Sequence, residues 1–470
     1  MSPLVRISPI TRINGFWNVE VEVNNGRVTD ARSSGMIFRG FEKILQGRDP
    51  RDAIYLTERI CGICSTVHGL AAAFAIEDAL NIAVPENAVF LRNLIFGADL
   101  LQNHVRHFYL LSLVDFVEGM NIPPMIPRYQ GGYRIPKSET DIMLRNYNDH
   151  FEIARKCHEM VVVFGGKIPH QHGIVAGGVS VHPDTSKVQK FVAMLEKVEE
   201  FITHKMLPDA ERLAHYYADY YEIGKGHGNM MAYANFPTAP NQQKTVIPFG
   251  IVVNGRVKKF TEGRILEHLK YAWYQDAEPL PPEKGETKPD ADKEAGYSWV
   301  KAPRYDGRPF ETGPLAHLWV KGDYTRGIST MDRIMARVLE AKMVAALMKD
   351  WAKQLKQGQP IYRPFTFPDG EISGAGYHGA MRGALGHWVT IKDKRIAHYQ
   401  IVTPSAWNCS PRDDNRVRGP VEEALIGTPV DDPDNPIEIG RVVRAFDPCL
   451  ACAIHLLQPG RSMRTFRIIV

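Results

Sequence analysis

Polar and apolar positions divide the chain into two kinds of segment. In "WNVEVEVNNGRVTDARSS" (17–34), Val19, Val21 and Val23 share one face, Asn24-Asn25-Gly26 interrupts, and the alternation resumes. A period of two broken by such a turn predicts a β-hairpin. From Glu86 to Gly119 apolar residues recur at helical spacing without a proline, which predicts one long buried helix. A second long helical stretch covers roughly 186–222 and ends near Gly224. A third is capped by Ser329 or Thr330 and stops at Gly358. Residues 278–293 are proline-rich and polar, the pattern of a surface loop, and short strands and loops are expected beyond Gly358. With no internal repeat and no clear linker, the expected fold is mainly α with small β subdomains (α+β): one large domain around a bundle of long helices, with a buried metal site.

Composition narrows the function. Hydrophobic residues make up 44% of the 470 and charged ones 23%, as in an ordinary globular protein. The net charge of +4 is small and no run of Lys/Arg stands out, so no nucleic-acid partner is expected. No apolar run approaches the roughly 18 residues of a membrane span. The opening "MSPLVRISPITRING" has no apolar core, so no signal peptide is expected on this chain. Six cysteines are too few for a disulfide scaffold, and four of them form two C-x-x-C pairs, Cys61/Cys64 and Cys449/Cys452.

Both pairs are trailed by a histidine, in "RICGICSTVH" (59–68) and "DPCLACAIH" (447–455). Such a repeat predicts one four-thiolate metal site. A structural Cys₄ zinc is the plain reading, but its knuckles usually clip nearby loops, and these lie near opposite ends of the chain. Iron–sulfur clusters, copper and nickel also accept soft thiolates, so the ligands alone do not choose the metal.

The two motifs resemble the paired cysteine signatures of the nickel–iron hydrogenase large subunit. The similarity extends in order through "FRGFEKILQGRDPRDA" (38–53), "EDALNIAVPENAVFLRNL" (77–94), "SWVKAPRYDGRPFETGPLA" (298–316), "RGALGHW" (382–388) and "PSAWNCSPRD" (404–413). Its wording looks nearest to the membrane-associated uptake branch. The resemblance implies nickel bound by Cys61, Cys64, Cys449 and Cys452, with Cys64 and Cys452 bridging to an iron that carries carbon monoxide and cyanide. Dihydrogen would be split heterolytically between the metals. Arg382 matches an arginine poised above them, Ser405 a hydrogen-bond donor to a cyanide, and His68 a group bonded to a bridging sulfur. Asp447 would lie beside the nickel. Glu42, the carbonyl of Ile401 and His455 match a magnesium site, sometimes iron, near the C-terminus, and Glu311 is a further candidate close to the centre.

Four positions depart from the family pattern, and two of them replace acids that would carry protons. Where the family usually reads R-I-E-G-H, this chain has "RINGF": Asn14 replaces the glutamate that is the favoured first proton carrier, and Phe16 the histidine. Asn103, before His104, replaces an aspartate, and Met381 stands where proline is common before Arg382. An amide keeps the shape of a carboxylate but cannot take up a proton at neutral pH. Proton exit by another route, through Arg382 and water, or slow turnover is therefore expected.

Once the nickel site takes four cysteines, Cys157 and Cys409 cannot hold a Cys₄ cluster. The electron relay is thus expected on a small subunit carrying iron–sulfur clusters, in a heterodimer or a higher oligomer built from it. If that partner carries an export signal, the complex would be exported and membrane-associated; the alternative is a cytoplasmic enzyme. The family also implies nickel-insertion factors and an endopeptidase that cuts after His455, leaving a catalytic domain over 1–455 and removing 456–470. A permanent C-terminal strand is the alternative for that tail. The competing functions are a dihydrogen sensor, a metal-free relative such as the quinone-site subunit of respiratory complex I, and a structural four-cysteine metal protein.

Overall fold

The computed structural model describes residues 4–123, 125–126 and 132–453. Helix accounts for 41% and strand for 20%, a mixed architecture in agreement with the expected fold class. The predicted hairpin forms between Trp17–Asn24 and Arg27–Gly35, and Leu4–Ile7 adds a third antiparallel strand. Asn25 and Gly26 both have positive φ, as a two-residue turn matching strand twist requires. Trp17, Val19, Val21 and Val23 are all buried, so the alternation reports the core face.

Short helices follow: α1 (Phe41–Leu45), α2 (Asp52–Glu58) and α3 (Ser65–Ala79). The long apolar segment is α4 (Glu86–Arg106), prolonged by a π-helical turn over His107–Ser112 and a 3-10 turn to Asp115. Next comes α5 (Lys137–Gly165), a 29-residue helix that the sequence reading did not assign. Its many polar residues mask a buried stripe of Met143, Tyr147, Ala154, Cys157, Val161 and Phe164, spaced as a helix requires. The 186–222 segment divides into α6 (Thr185–Phe201), a π turn and α7 (Leu207–Tyr216). After α8 (Pro314–Lys321), α9 (Thr330–Gln354) is capped by the Ser329 hydroxyl, which accepts from the Asp332 amide, as the sequence predicts. Helix α4 packs between α5 and α9, forming the centre of the bundle.

Two expectations change. The region beyond Gly358 is not only short strands: Glu371–Ala380, Gly383–Lys392 and Arg395–Val402 form a long antiparallel meander, followed by α10 (Pro404–Asn408), α11 (Pro420–Leu425), α12 (Ile437–Ala445) and α13 (Leu450–Ala453). Helix α3 lies directly on its first strand: a Cβ at Gly376 would sit 2.0 Å from the Ala71 carbonyl oxygen, so only glycine permits this approach. The 278–293 segment is not simply a surface loop either. Thr287 is buried and its hydroxyl donates to the Glu42 carboxylate. The pattern of 278–293 shows polarity but not which polar residues turn inward.

Candidate metal centre

The first thiol pair sits in the turn between α2 and α3. The amides of Ile63 and Cys64 donate to Cys61 Sγ (3.3 and 3.4 Å), and Cys64 is the N-cap residue of α3. Backbone N–H groups and a helix N-terminus both favour a thiolate. The second pair follows α12. There Asp447 adopts a left-handed φ of 53°, then Pro448 and Cys449 lead into α13, which carries Cys452. The residues around Asn14 hold the second pair in place: Leu450 N–H donates to Asn14 O (2.7 Å), and Asn14 N–H to Pro448 O (3.4 Å). A Cβ on Gly15 would come within 2.4 Å of the Ala451 nitrogen, and its φ of +92° also requires glycine.

The four sulfurs converge. Cys61–Cys449 Sγ is 3.4 Å, Cys64–Cys452 3.2 Å and Cys449–Cys452 2.9 Å, and all four lie within 4.8 Å of one another in the core. Four thiols this close and this dry cannot all ionise without a cation among them. A soft four-thiolate set fits nickel and iron.

A small cavity adjoins the sulfurs, lined by Cys64, Cys449 and Cys452 with His68, Arg382 and Ser405. Arg382 is at the tip of a two-residue hairpin, since Ala380 pairs with Gly383, and that tip is buried rather than solvated. Its Nε donates to Asp447 O (2.8 Å) and its Nη2 pairs with Asp447 Oδ1 (3.1 Å). Its Nη1 is buried with no hydrogen-bond partner among the described residues. Asp447 Oδ2 accepts from Asn103 Nδ2 (3.0 Å) and Arg337 Nη1 (3.3 Å). Burial raises this carboxyl, but the Arg382 and Arg337 guanidiniums prevail and hold it below the usual range. Ser405 Oγ accepts from the Cys449 amide (2.9 Å).

Asn14 Nδ2 donates to both Cys61 Sγ (3.0 Å) and Cys449 Sγ (3.3 Å). Its amide therefore stabilises thiolates and receives no proton from them. Sequence reasoning missed two buried acids on the Cys61 side. Burial raises Asp99 to about 7 and Glu58 to about 8. It also missed Arg337, which ties Asp447 to the Met381 carbonyl (3.0 Å) and approaches His104 (3.5 Å). No motif marks these three; only their burial does.

Glu42 and Ile401 come together: Ile401 N–H donates to Glu42 Oε1 (3.1 Å). They line a second small cavity with Lys301, Glu267 and Cys452. Lys301 Nζ lies 3.8 Å from Glu42 and 3.5 Å from Glu267, leaving two buried carboxylates facing one ammonium. That charge balance fits an added cation. His455, the third predicted ligand, lies outside the described residues. Glu311 is taken up by a bidentate pair with Arg333 (2.6 and 2.7 Å) and does not line either cavity.

Four buried thiols beside a guanidinium–carboxylate pair define a candidate soft-metal centre. The Nickel-dependent hydrogenase family model matches residues 39–128, 119–327 and 321–455, and the chain belongs to that family. It is 39% identical to the periplasmic [NiFeSe] hydrogenase large subunit of Desulfomicrobium baculatum, over 96% of this chain and 95% of that one. Identity to the hydrogenase-2 large chain of Escherichia coli (strain K12) is 31%, over 97% and 98%. An uptake hydrogenase large subunit from Rhodobacter capsulatus is 31% identical, over 98% and 97%. The [NiFeSe] hydrogenase structure from Dm. baculatum superposes with a TM-score of 0.94, covering 97% of this chain and all of that one. The chain is a hydrogenase large subunit, an oxidoreductase acting on dihydrogen, and its family pairs it with a small subunit.

Proposed function

We propose that Cys61, Cys64, Cys449 and Cys452 would hold a nickel–iron pair whose iron carries carbon monoxide and cyanide. The observation that carries this reading is the convergence of four buried sulfurs within 4.8 Å beside Arg382. When bound, that pair supplies the position at which dihydrogen is cleaved heterolytically, its electrons passing to an iron–sulfur small subunit. Selenium appears in some relatives' names, but all four ligands here are cysteine. Metal analysis of the purified complex tests the reading: nickel and iron should be found together with infrared bands from bound carbon monoxide and cyanide. Zinc alone, without those bands, would overturn it.

Arg382 presents Nη1 to the cavity and polarises what occupies it, while its pair with Asp447 fixes its orientation. Asp447 pairs with Arg382 and Arg337 and acts by fixing the guanidinium beside the sulfurs, since a carboxyl held below its usual range is a weak proton acceptor. Ser405 and His68 line the same cavity and would orient groups bound there. Glu42 and the Ile401 carbonyl, with His455, hold a magnesium or iron ion next to Cys452.

Asn14→Glu would place a proton carrier against Cys61 and Cys449. Dihydrogen oxidation and hydrogen–deuterium exchange should rise by roughly tenfold or more if Asn14 limits proton exit. Unchanged rates would show that Asn14 is not the bottleneck. We also place residues 456–470 as an extension cut after His455, with catalytic domain 1–455, nickel-insertion factors acting first. The complex is exported with its small subunit and membrane-associated through it, a reading supported by the periplasmic and uptake relatives.

A further inference from the structure

The role given to His68 depends on which ring nitrogen carries its proton, and the meander decides that at a distance. Its second hairpin sets His387 opposite Ile401 and Tyr399 opposite Val389. His387 and Tyr399 are therefore diagonal neighbours on one face of the sheet. The Tyr399 hydroxyl lies 2.8 Å from His387 Nδ1, and His387 Nε2 lies 3.2 Å from His68 Nδ1. All three side chains are at most 1% exposed.

Protons can be assigned along this row. Burial pushes the Tyr399 phenol up, so it keeps its proton. His387 is its only hydrogen-bonding neighbour among the described residues, so the hydroxyl donates to His387 Nδ1. A neutral His387 then carries its proton on Nε2 and donates to His68 Nδ1, which leaves the His68 proton on Nε2. The opposite direction would orphan the phenol proton in a dry interior, at a cost of about 1–3 kcal/mol, several times thermal energy.

We infer that Tyr399 is a positioning residue which, through His387, holds His68 in the Nε2–H form, so that an N–H rather than a lone pair faces the sulfur-lined cavity. This rests on the nickel–iron reading above, because the sulfurs matter here as metal ligands. An N–H directed at a thiolate withdraws charge from it and thus from the metals it binds. Nothing in the C-x-x-C motif points to Tyr399, which lies 12 residues after His387 and acts from the far side of it.

The test uses the complete enzyme with its small subunit, by infrared spectroscopy and potentiometric titration of the nickel. Tyr399→Phe removes one hydroxyl and no packing volume. It should shift the carbon monoxide stretch to lower frequency and lower the nickel midpoint potential, because a sulfur without its donor pushes more charge onto the metals. His387→Leu should shift both in the same direction. His387→Gln, whose amide can still donate to His68 Nδ1, should bring both back towards the wild-type values. The inference is overturned if Tyr399→Phe superposes on wild type in both readouts, or if His387→Gln shifts them as far as His387→Leu. Wild-type enzyme without such bands would instead overturn the nickel–iron reading itself.

Discussion

Cys449→Ser is expected to purify with little or no nickel and with dihydrogen activity lowered by more than about 100-fold. A serine oxygen is a harder donor than sulfur and is not a thiolate at neutral pH, so a soft metal loses one of its four anchors. The fold should persist, because the change is one atom within a core that extends through the helical bundle and beyond it. Far-UV circular dichroism should therefore match wild type, while nickel content falls towards zero and the carbon monoxide and cyanide bands disappear. Nickel at the wild-type level with activity within tenfold would show that the four thiols do not act as one ligand set. Asn14 sharpens the expectation. Its amide spans Cys61 and Cys449, so the variant also loses one of the two thiolates it stabilises.

Arg382→Lys should lower turnover by about 100-fold while nickel content and the infrared bands remain. Lysine keeps a positive charge against Asp447, so the buried pair survives. Arg382→Ala would leave that carboxylate with less compensation, at roughly 3–5 kcal/mol. The missing part is the planar fork: Nε and Nη2 are committed to Asp447, and only arginine has a further N–H group to present to the cavity. Turnover within threefold of wild type in Arg382→Lys would remove Arg382 from the reaction. Loss of nickel would reassign it to assembly of the centre.

The sequence made the metal ligands legible because ligand chemistry is local: thiolates at C-x-x-C spacing can reach one ion whatever the surrounding fold. The first hairpin and α9 were legible for a similar reason, since Asn25-Gly26 and Ser329 satisfy their own backbones. Helix α5 was missed although its stripe was present, because the stripe is diluted by the polar face of a helix at the edge of the bundle. The meander beyond Gly358 was underestimated because its first strand carries Gly374, Gly376 and Gly379, which weaken a strand pattern. In the fold the first two clear space for the backbone of α3 and the third for that of Tyr233.

What the sequence determined by itself was the family, the four thiols, and the substitution of amides for acids at Asn14 and Asn103. What only the tertiary structure decided was direction and company. It turned the Asn14 amide nitrogen towards two sulfurs, buried a hairpin tip so that Arg382 faces the centre, and drew Thr287 inward to Glu42. It also aligned Tyr399 and His387 behind His68. These partners are separated by tens to hundreds of residues, and a hydrogen bond depends on where its donor and acceptor meet in space, which spacing along the chain does not encode.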